Sequence, residues 1–188
     1  MADLTLTPLT ALCHAVPEDI EIGPYLIAER FDIALASVAA RRGRGDVLAA
    51  AARAAGLPLP PPARAETGAP FSAFWVAPDM WFVEAPFAHH QDIAAHLKAV
   101  LGDAASITEQ TDAWVRFDVS APTLTPLLER LTNLDLASAP AHFASRTVID
   151  HLGCYLIKRA TTAITLYGPR SSAANLLHAI EVTAKSIL

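Results

Sequence analysis

The sequence predicts an α+β fold built from two β-β-α-β-β-α units. Three observations predict it: an aromatic hairpin in the first half, an order of elements that recurs in the second, and two matched prolines. The hairpin is Phe74-Trp75-Val76-Ala77-Pro78-Asp79-Met80-Trp81-Phe82-Val83, two short apolar strands joined at Ala77-Pro78-Asp79-Met80. Proline presets φ at the first central turn position, and aspartate can hydrogen-bond its own backbone. Its two tryptophans and two phenylalanines are expected in the core, because such rings bury large areas. The prolines, Pro86 and Pro169, each stand between an aromatic-bearing strand and a helix, where a missing N–H costs least.

Residues 25–38 read as two extended segments, followed by an alanine-rich helix over 44–55 that Gly56 ends before the proline-rich turn 57–62. A polar loop through Glu66-Thr67-Gly68 leads to the hairpin, and after Pro86 a helix over 88–101 stops at Gly102. The second half repeats the order. Residues 106–110 and 113–119 form a strand pair, 123–131 a helix, 147–159 and 163–167 strands, and 171–186 a final helix. Phe31-Asp32-Ile33 is set against Phe117-Asp118-Val119 as a local trace of duplication. Residues 1–188 are therefore expected to form a single domain with internal halves near 22–102 and 103–188, their strands interleaved.

Composition narrows the function. Hydrophobic residues make up 53% of the 188 and charged residues 18%, against about 25% charged in typical soluble domains. Asp79, Glu84 and Asp92 interrupt the most apolar region, so no uncharged run of about 18 residues is available to span a bilayer. The apolar excess is expected to meet protein. A net charge of -5 disfavours polynucleotide binding. The one basic cluster, Arg41, Arg42 and Arg44, reads as a solvated loop. Cys13 and Cys154 are too few and too far apart for a disulfide framework or a metal-ligand spacing, which fits a reducing cytoplasm. Residues 1–5 lack the charged and apolar regions of a signal peptide.

The residues offer three candidate chemistries. His89, His90 and His96 with Asp92 imitate a metal or acid–base cluster. On a helix, however, His89 and His96 lie about 10 Å apart along the axis and His90 points elsewhere, leaving Asp92 and His96 as an exposed pair one turn apart. No metal site is expected. Asp118, Ser120, Asp150, His151 and Ser171 could supply a nucleophile and base, but no Gly-x-Ser-x-Gly elbow supports them. Ser120 and Ser171 or Ser172 read as helix caps, and Asp150 as a partner of a neighbouring strand. Gly168-Pro169-Arg170-Ser171-Ser172 places an arginine at a helix start, where capping or an anion is served. Neither a Gly-x-Gly-x-x-Gly nor a Walker loop occurs. No catalytic residue is assigned, and no cofactor-binding residue is named.

The hairpin resembles the strand, Gly-Pro-Asp-Glu-Trp turn and strand of gamma subunits of heterotetrameric sarcosine oxidase, with Ala77 in place of the glycine and Met80 in place of the glutamate. Ala54-Ala55-Gly56-Leu57-Pro58-Leu59-Pro60 is similar to the helix end and Leu-Pro-x-Pro turn before that hairpin. Phe117-Asp118-Val119-Ser120, Leu134-Asp135-Leu136 with Phe143, and Arg170-Ser171-Ser172-Ala173 resemble its Asp-Val-Ser, Leu-Asp-Leu and Arg-Ser-Phe-Ala blocks. The resemblance runs from about Glu29 to Ile180.

It implies the fold group of the folate-binding domain of the glycine-cleavage aminomethyltransferase. It also implies a non-catalytic chain in a cytoplasmic complex with alpha, beta and delta subunits. That complex would demethylate sarcosine oxidatively to glycine and pass the one-carbon unit to tetrahydrofolate. FAD, FMN, NAD and tetrahydrofolate would belong to the complex, none to this chain. Two alternatives stay open: the small subunit of a related N-methyl amino acid dehydrogenase, and a free-standing folate-binding protein that uses Asp118 for the pterin and Arg170 for the glutamate tail.

Overall fold

In the computed structural model, which describes residues 7–188, the chain builds two antiparallel sheets. Its strands are β1 (Asp19–Ile22), β2 (Tyr25–Arg30), β3 (Ile33–Ala40), β4 (Ala65–Glu66), β5 (Ser72–Ala77), β6 (Met80–Pro86), β7 (Ala105–Glu109), β8 (Trp114–Ser120), β9 (Ala144–Ile149), β10 (Leu152–Ala160) and β11 (Ala163–Pro169). Helices α1 (Gly45–Ala54), α2 (Ile93–Leu101), α3 (Thr125–Leu131) and α4 (Ala173–Lys185) complete it. The α+β class and the repeated order of elements agree with the sequence. The expectation about residues 1–5 lies outside the described residues.

The sheets run β1-β2-β8-β11-β10-β9 and β4-β5-β6-β3-β7. Alternation along the strands sorts the side chains into three layers. Leu35, Phe74, Phe82, Ile157 and Tyr167 fill the space between the sheets. Val119, Leu127, Leu166, Leu176 and Ile180 pack α3 and α4 on the outer face of the six-stranded sheet, and Val38, Leu48, Val83, Ile93 and Leu97 pack α1 and α2 on the outer face of the other. Gly168 permits the close approach of α4, since a Cβ there would stand 2.5 Å from Leu176 Cδ2.

The expected strand pairs are corrected by this topology. β2 and β3 are not partners: β2 joins β8 in one sheet while β3 joins β6 and β7 in the other. Nor do β7 and β8 pair. Each unit lends its first strand to the sheet of the other, so β3 and β8 each have one of their two neighbouring strands from the other unit. The Phe31/Phe117 match also fails. Ile33 stands opposite Pro86 and Trp114 opposite Pro169, which aligns Ile33 with Trp114 rather than with Val119. Phe31 sits in the turn, 61% exposed, whereas Phe117 is in the core. The proline match holds, because both residues close a strand and precede a short 3₁₀ turn and a helix.

In the hairpin, Pro78-Asp79 forms a two-residue loop with Asp79 at φ +57°, the left-handed second position of a type II turn. Phe74 and Phe82 are buried, but Trp75 and Trp81 are only half-buried. Trp81 packs against the α1–α2 layer and donates its indole N–H to Pro60 O at 2.7 Å. Residues 147–159 are two strands rather than one, broken at Asp150-His151, both with positive φ. The segments β1 and β4 carry no clear sequence signal, being short and pairing only at sheet edges.

Candidate functional site

Between the sheets lies a buried polar network. In β8, Val115, Phe117 and Val119 face the helix layer, so alternation turns Arg116 and Asp118 toward the other sheet. In β6, the same rule puts Glu84 inward between Val83 and Ala85. Glu84 is 4% exposed, and its Oε1 accepts from Tyr167 Oη at 2.6 Å, Arg159 Nη2 at 2.6 Å and Arg116 Nη1 at 3.1 Å. Arg116 holds Asp118 in a two-pronged pair, with Nε and Nη2 each at 2.9 Å. Thr165 donates to Asp118 Oδ1 at 2.6 Å and accepts from Arg159 Nε at 3.0 Å, closing the ring.

Two carboxylates thus face two guanidiniums, a balance that a buried cluster requires. Burial, and then the charge of Glu84, hold the Tyr167 phenol well above its ordinary value. Burial alone would lower Arg116, but Tyr167, Glu84 and Asp118 outweigh it and raise the guanidinium. Tyr167 therefore stays a neutral phenol and Arg116 a charged guanidinium at neutral pH. The network braces the two sheets. It also separates two openings. One is an open cleft lined by Thr67, Gly68, Ser72, Glu84, Arg116 and Arg159. The other is a cavity of about 270 Å³ lined by Glu29, Phe31, Phe87, Trp114, Tyr167 and Arg170, among others, and roofed by residues 8–17.

The sequence candidates are dispersed. The helix carrying the histidines begins only at Ile93, so helical spacing does not govern His89 and His90. Asp92 is the N-cap of α2, accepting from Ala95 N at 2.9 Å, rather than a partner of His96. The close pair is His90 and His96, 5.5 Å apart, with Phe71 against both rings. Among the described residues no group of three or more potential ligands gathers around a metal position. Asp118 belongs to the network, Asp150 and His151 to the β9–β10 turn instead of a neighbouring strand, and Ser171 to the turn before α4. The cap roles are corrected too: Ser120 ends β8, Leu124 precedes α3, and Ser172 precedes α4 without a side-chain bond.

Arg170 donates from Nη2 to Leu9 O at 3.0 Å and has Nη1 3.8 Å from Asp112, so the roof segment takes the place of an anion. Arg41 lies 3.6 Å from Asp103 at the surface. Cys13 is exposed and Cys154 buried, both free thiols. Sequence reasoning missed Glu84, Arg159, Tyr167 and Glu29 as a group. The legible signal was a carboxylate at an inward position, Glu84 inside Phe82-Val83-Glu84-Ala85 and Glu29 in step with Tyr25 and Ile27.

The architecture of the two exchanged units is a fold shared with solved structures. The chain is similar to a chain of the heterotetrameric sarcosine oxidase from Corynebacterium sp. U-96, in complex with pyrrole 2-carboxylate. The TM-score is 0.74 at 16% identity, covering 86% of this chain and 84% of that one. It is also similar to the glycine cleavage system aminomethyltransferase T from Bartonella henselae, with a TM-score of 0.59 at 12% identity over 81% of this chain. It spans only 44% of the aminomethyltransferase's length. No family model and no curated protein matches the sequence. No helix among the described residues is long and apolar enough to cross a membrane.

Proposed function

We propose that this chain is the gamma subunit of a heterotetrameric sarcosine oxidase, an accessory chain that supports catalysis by alpha, beta and delta partners. What supports it most is the reciprocity of the fold match, 86% of this chain against 84% of its sarcosine oxidase neighbour. An aminomethyltransferase is matched over 44% of its length, at the lower TM-score of 0.59. The Glu84–Arg116–Arg159–Asp118 network agrees with a scaffold, since its charges are paired with one another across the two sheets. Arg116 already occupies Asp118, and Leu9 occupies Arg170, so neither is free for a folate.

In this reading the flavins FAD and FMN, NAD and tetrahydrofolate are held by the partners. The complex converts sarcosine to glycine, transfers the one-carbon unit to tetrahydrofolate and reduces oxygen to peroxide. Affinity purification of the tagged chain from its host, with a flavin spectrum and a sarcosine assay, tests it. Co-recovery of a yellow complex that oxidises sarcosine is expected. A yellow complex that ignores sarcosine but oxidises another N-methyl amino acid points to the dehydrogenase alternative, and a colourless, monodisperse chain sinks the subunit reading.

A further inference from the structure

We propose that the cavity under residues 8–17 is a binding site for a small organic cation, an alkylammonium group bearing at least one N–H, with the Glu29 carboxylate as its counter-ion. Glu29 is 4% exposed at the end of β2. Its Oε1 accepts from Leu12 N at 3.2 Å, while its Oε2 is buried with no hydrogen-bond partner among the described residues. A carboxylate oxygen withdrawn from water and left open costs free energy unless a donor reaches it. It is the one buried side-chain oxygen or nitrogen among the described residues in that condition.

The surroundings select the donor. Three guanidiniums line the cavity, and each is already engaged. Arg30 grips Asp32 through Nε at 3.1 Å and Nη2 at 2.6 Å, Arg116 serves Glu84 and Asp118, and Arg170 serves Leu9 O and Asp112. No lysine lines the space. An anionic ligand would meet Glu29 with no uncommitted positive charge to offset it. A metal ion would find too few ligands. Phe31, Phe87 and Trp114, by contrast, bring aromatic rings to the cavity lining, and ring faces attract ammonium groups. At about 270 Å³ the cavity is just below the range for drug-sized ligands, which suits an amine with a short alkyl body.

Two described hydrogen bonds tie residues 8–17 to the rest of the chain, Leu12 N to Glu29 Oε1 and Arg170 Nη2 to Leu9 O. Leu9, Phe31 and Phe87 are 49%, 61% and 37% exposed at the mouth, an apolar rim that favours the alkyl part of the ligand. The cation can belong to a free amine or to a lysine side chain of a partner; the chemistry at Glu29 is the same. The site follows from the chain's own residues and does not depend on its assembly with larger subunits.

Calorimetric titration of the full chain with n-butylammonium chloride, against 1-pentanol and sodium chloride at matched ionic strength, tests the site. Saturable one-to-one binding of the ammonium but not of the alcohol is expected. Glu29→Gln should weaken it about tenfold or more, the loss of one charge-assisted hydrogen bond. Phe87→Ala, at an exposed position, should weaken it without unfolding the chain, and it keeps the test open if Glu29→Gln does not fold. Absence of saturable binding by the folded chain, equal affinity for 1-pentanol, or undiminished binding by both variants would overturn the proposal. If the isolated chain binds the probe and a purified complex does not, a partner side chain is the source of the cation; binding by both makes it a free amine.

Discussion

Glu84 shows how one residue can tie a fold together. Its Oε1 carries three donors from three strands of the opposite sheet, so removing it strands Arg116 and Arg159 between the layers. Glu84→Leu is expected to destabilise the protein by about 3–5 kcal/mol, the range for breaking a buried ion pair. Tyr167→Phe removes one donor to a charged acceptor and should cost about 1.5–3 kcal/mol. Urea unfolding of both variants checks the order, and a smaller loss in Glu84→Leu would contradict the charge-balance account. Cys154 gives a pH prediction. Burial pushes its thiol up to about 11 from an ordinary 9.0, and the Tyr167 phenol is raised as well. Above pH 9 the unfolded chain gives up protons that the native state keeps, so the native state binds more protons and stability falls as pH rises. Thermal melts from pH 8 to 10.5 should show that fall, with a shallower slope in Cys154→Ala. A thiol reagent should label exposed Cys13 at once and Cys154 only on unfolding.

The aromatic hairpin is the element that both sequence and structure mark most strongly, but its rings divide the work differently from expectation. Alternation from the Pro78-Asp79 turn sends Phe74 and Phe82 between the sheets, where they meet each other at 5.5 Å and Tyr155 at 5.9 and 5.4 Å. Phe74→Ala should therefore cost about 3–5 kcal/mol, and Trp81→Ala less, since the indole is only half-buried. Equal losses on denaturant unfolding would return Trp81 to the core. Asp79 contributes its positive φ, so Asp79→Gly should be tolerated and Asp79→Val should not. Helix ends follow local rules where the chain supplies them: Gly56 and Gly102 take positive φ at the ends of α1 and α2, and Asp92 caps α2. The start of α2 was misread because the apolar spacing continues through Phe87 and Ala88, which form a 3₁₀ turn after Pro86.

At the scale of the whole molecule, strand exchange is the central fact. β2 crosses to β8 and β7 crosses to β3, so neither half contains both of its sheets' central ladders. Residues 22–102 expressed alone are expected to lack a cooperative thermal transition, and co-expression with residues 103–188 to restore it. Calorimetry of each half checks this; a sharp transition in one half would show that its own contacts suffice. Exposed Val148 on β9 and Val182 on α4, 61% and 50% accessible, are not among the residues lining the cavity. If the apolar surface meets partner subunits, Val148→Lys or Val182→Lys should reduce co-purification while leaving the melting temperature of the isolated chain unchanged. Retention of partners by both variants would move the interface elsewhere.

Periodicity, glycine stops and matched prolines were legible because each depends on backbone chemistry within a few residues. They determined the α+β class, the four helices and the repeated order of elements. The Asp150-His151 turn escaped, since aspartate and histidine accept left-handed φ without announcing it as Asn-Gly does. Which strands pair, and which inward carboxylates are satisfied, depends on residues that meet only across the sheets. Glu84 and Arg159 stand far apart in sequence yet share a 2.6 Å bond, and Glu29 is left with an open oxygen by the same packing. Local sequence determined the elements; the tertiary structure alone decided their exchange between sheets and the charges it buried, because long-range pairing has no signature in the residues between.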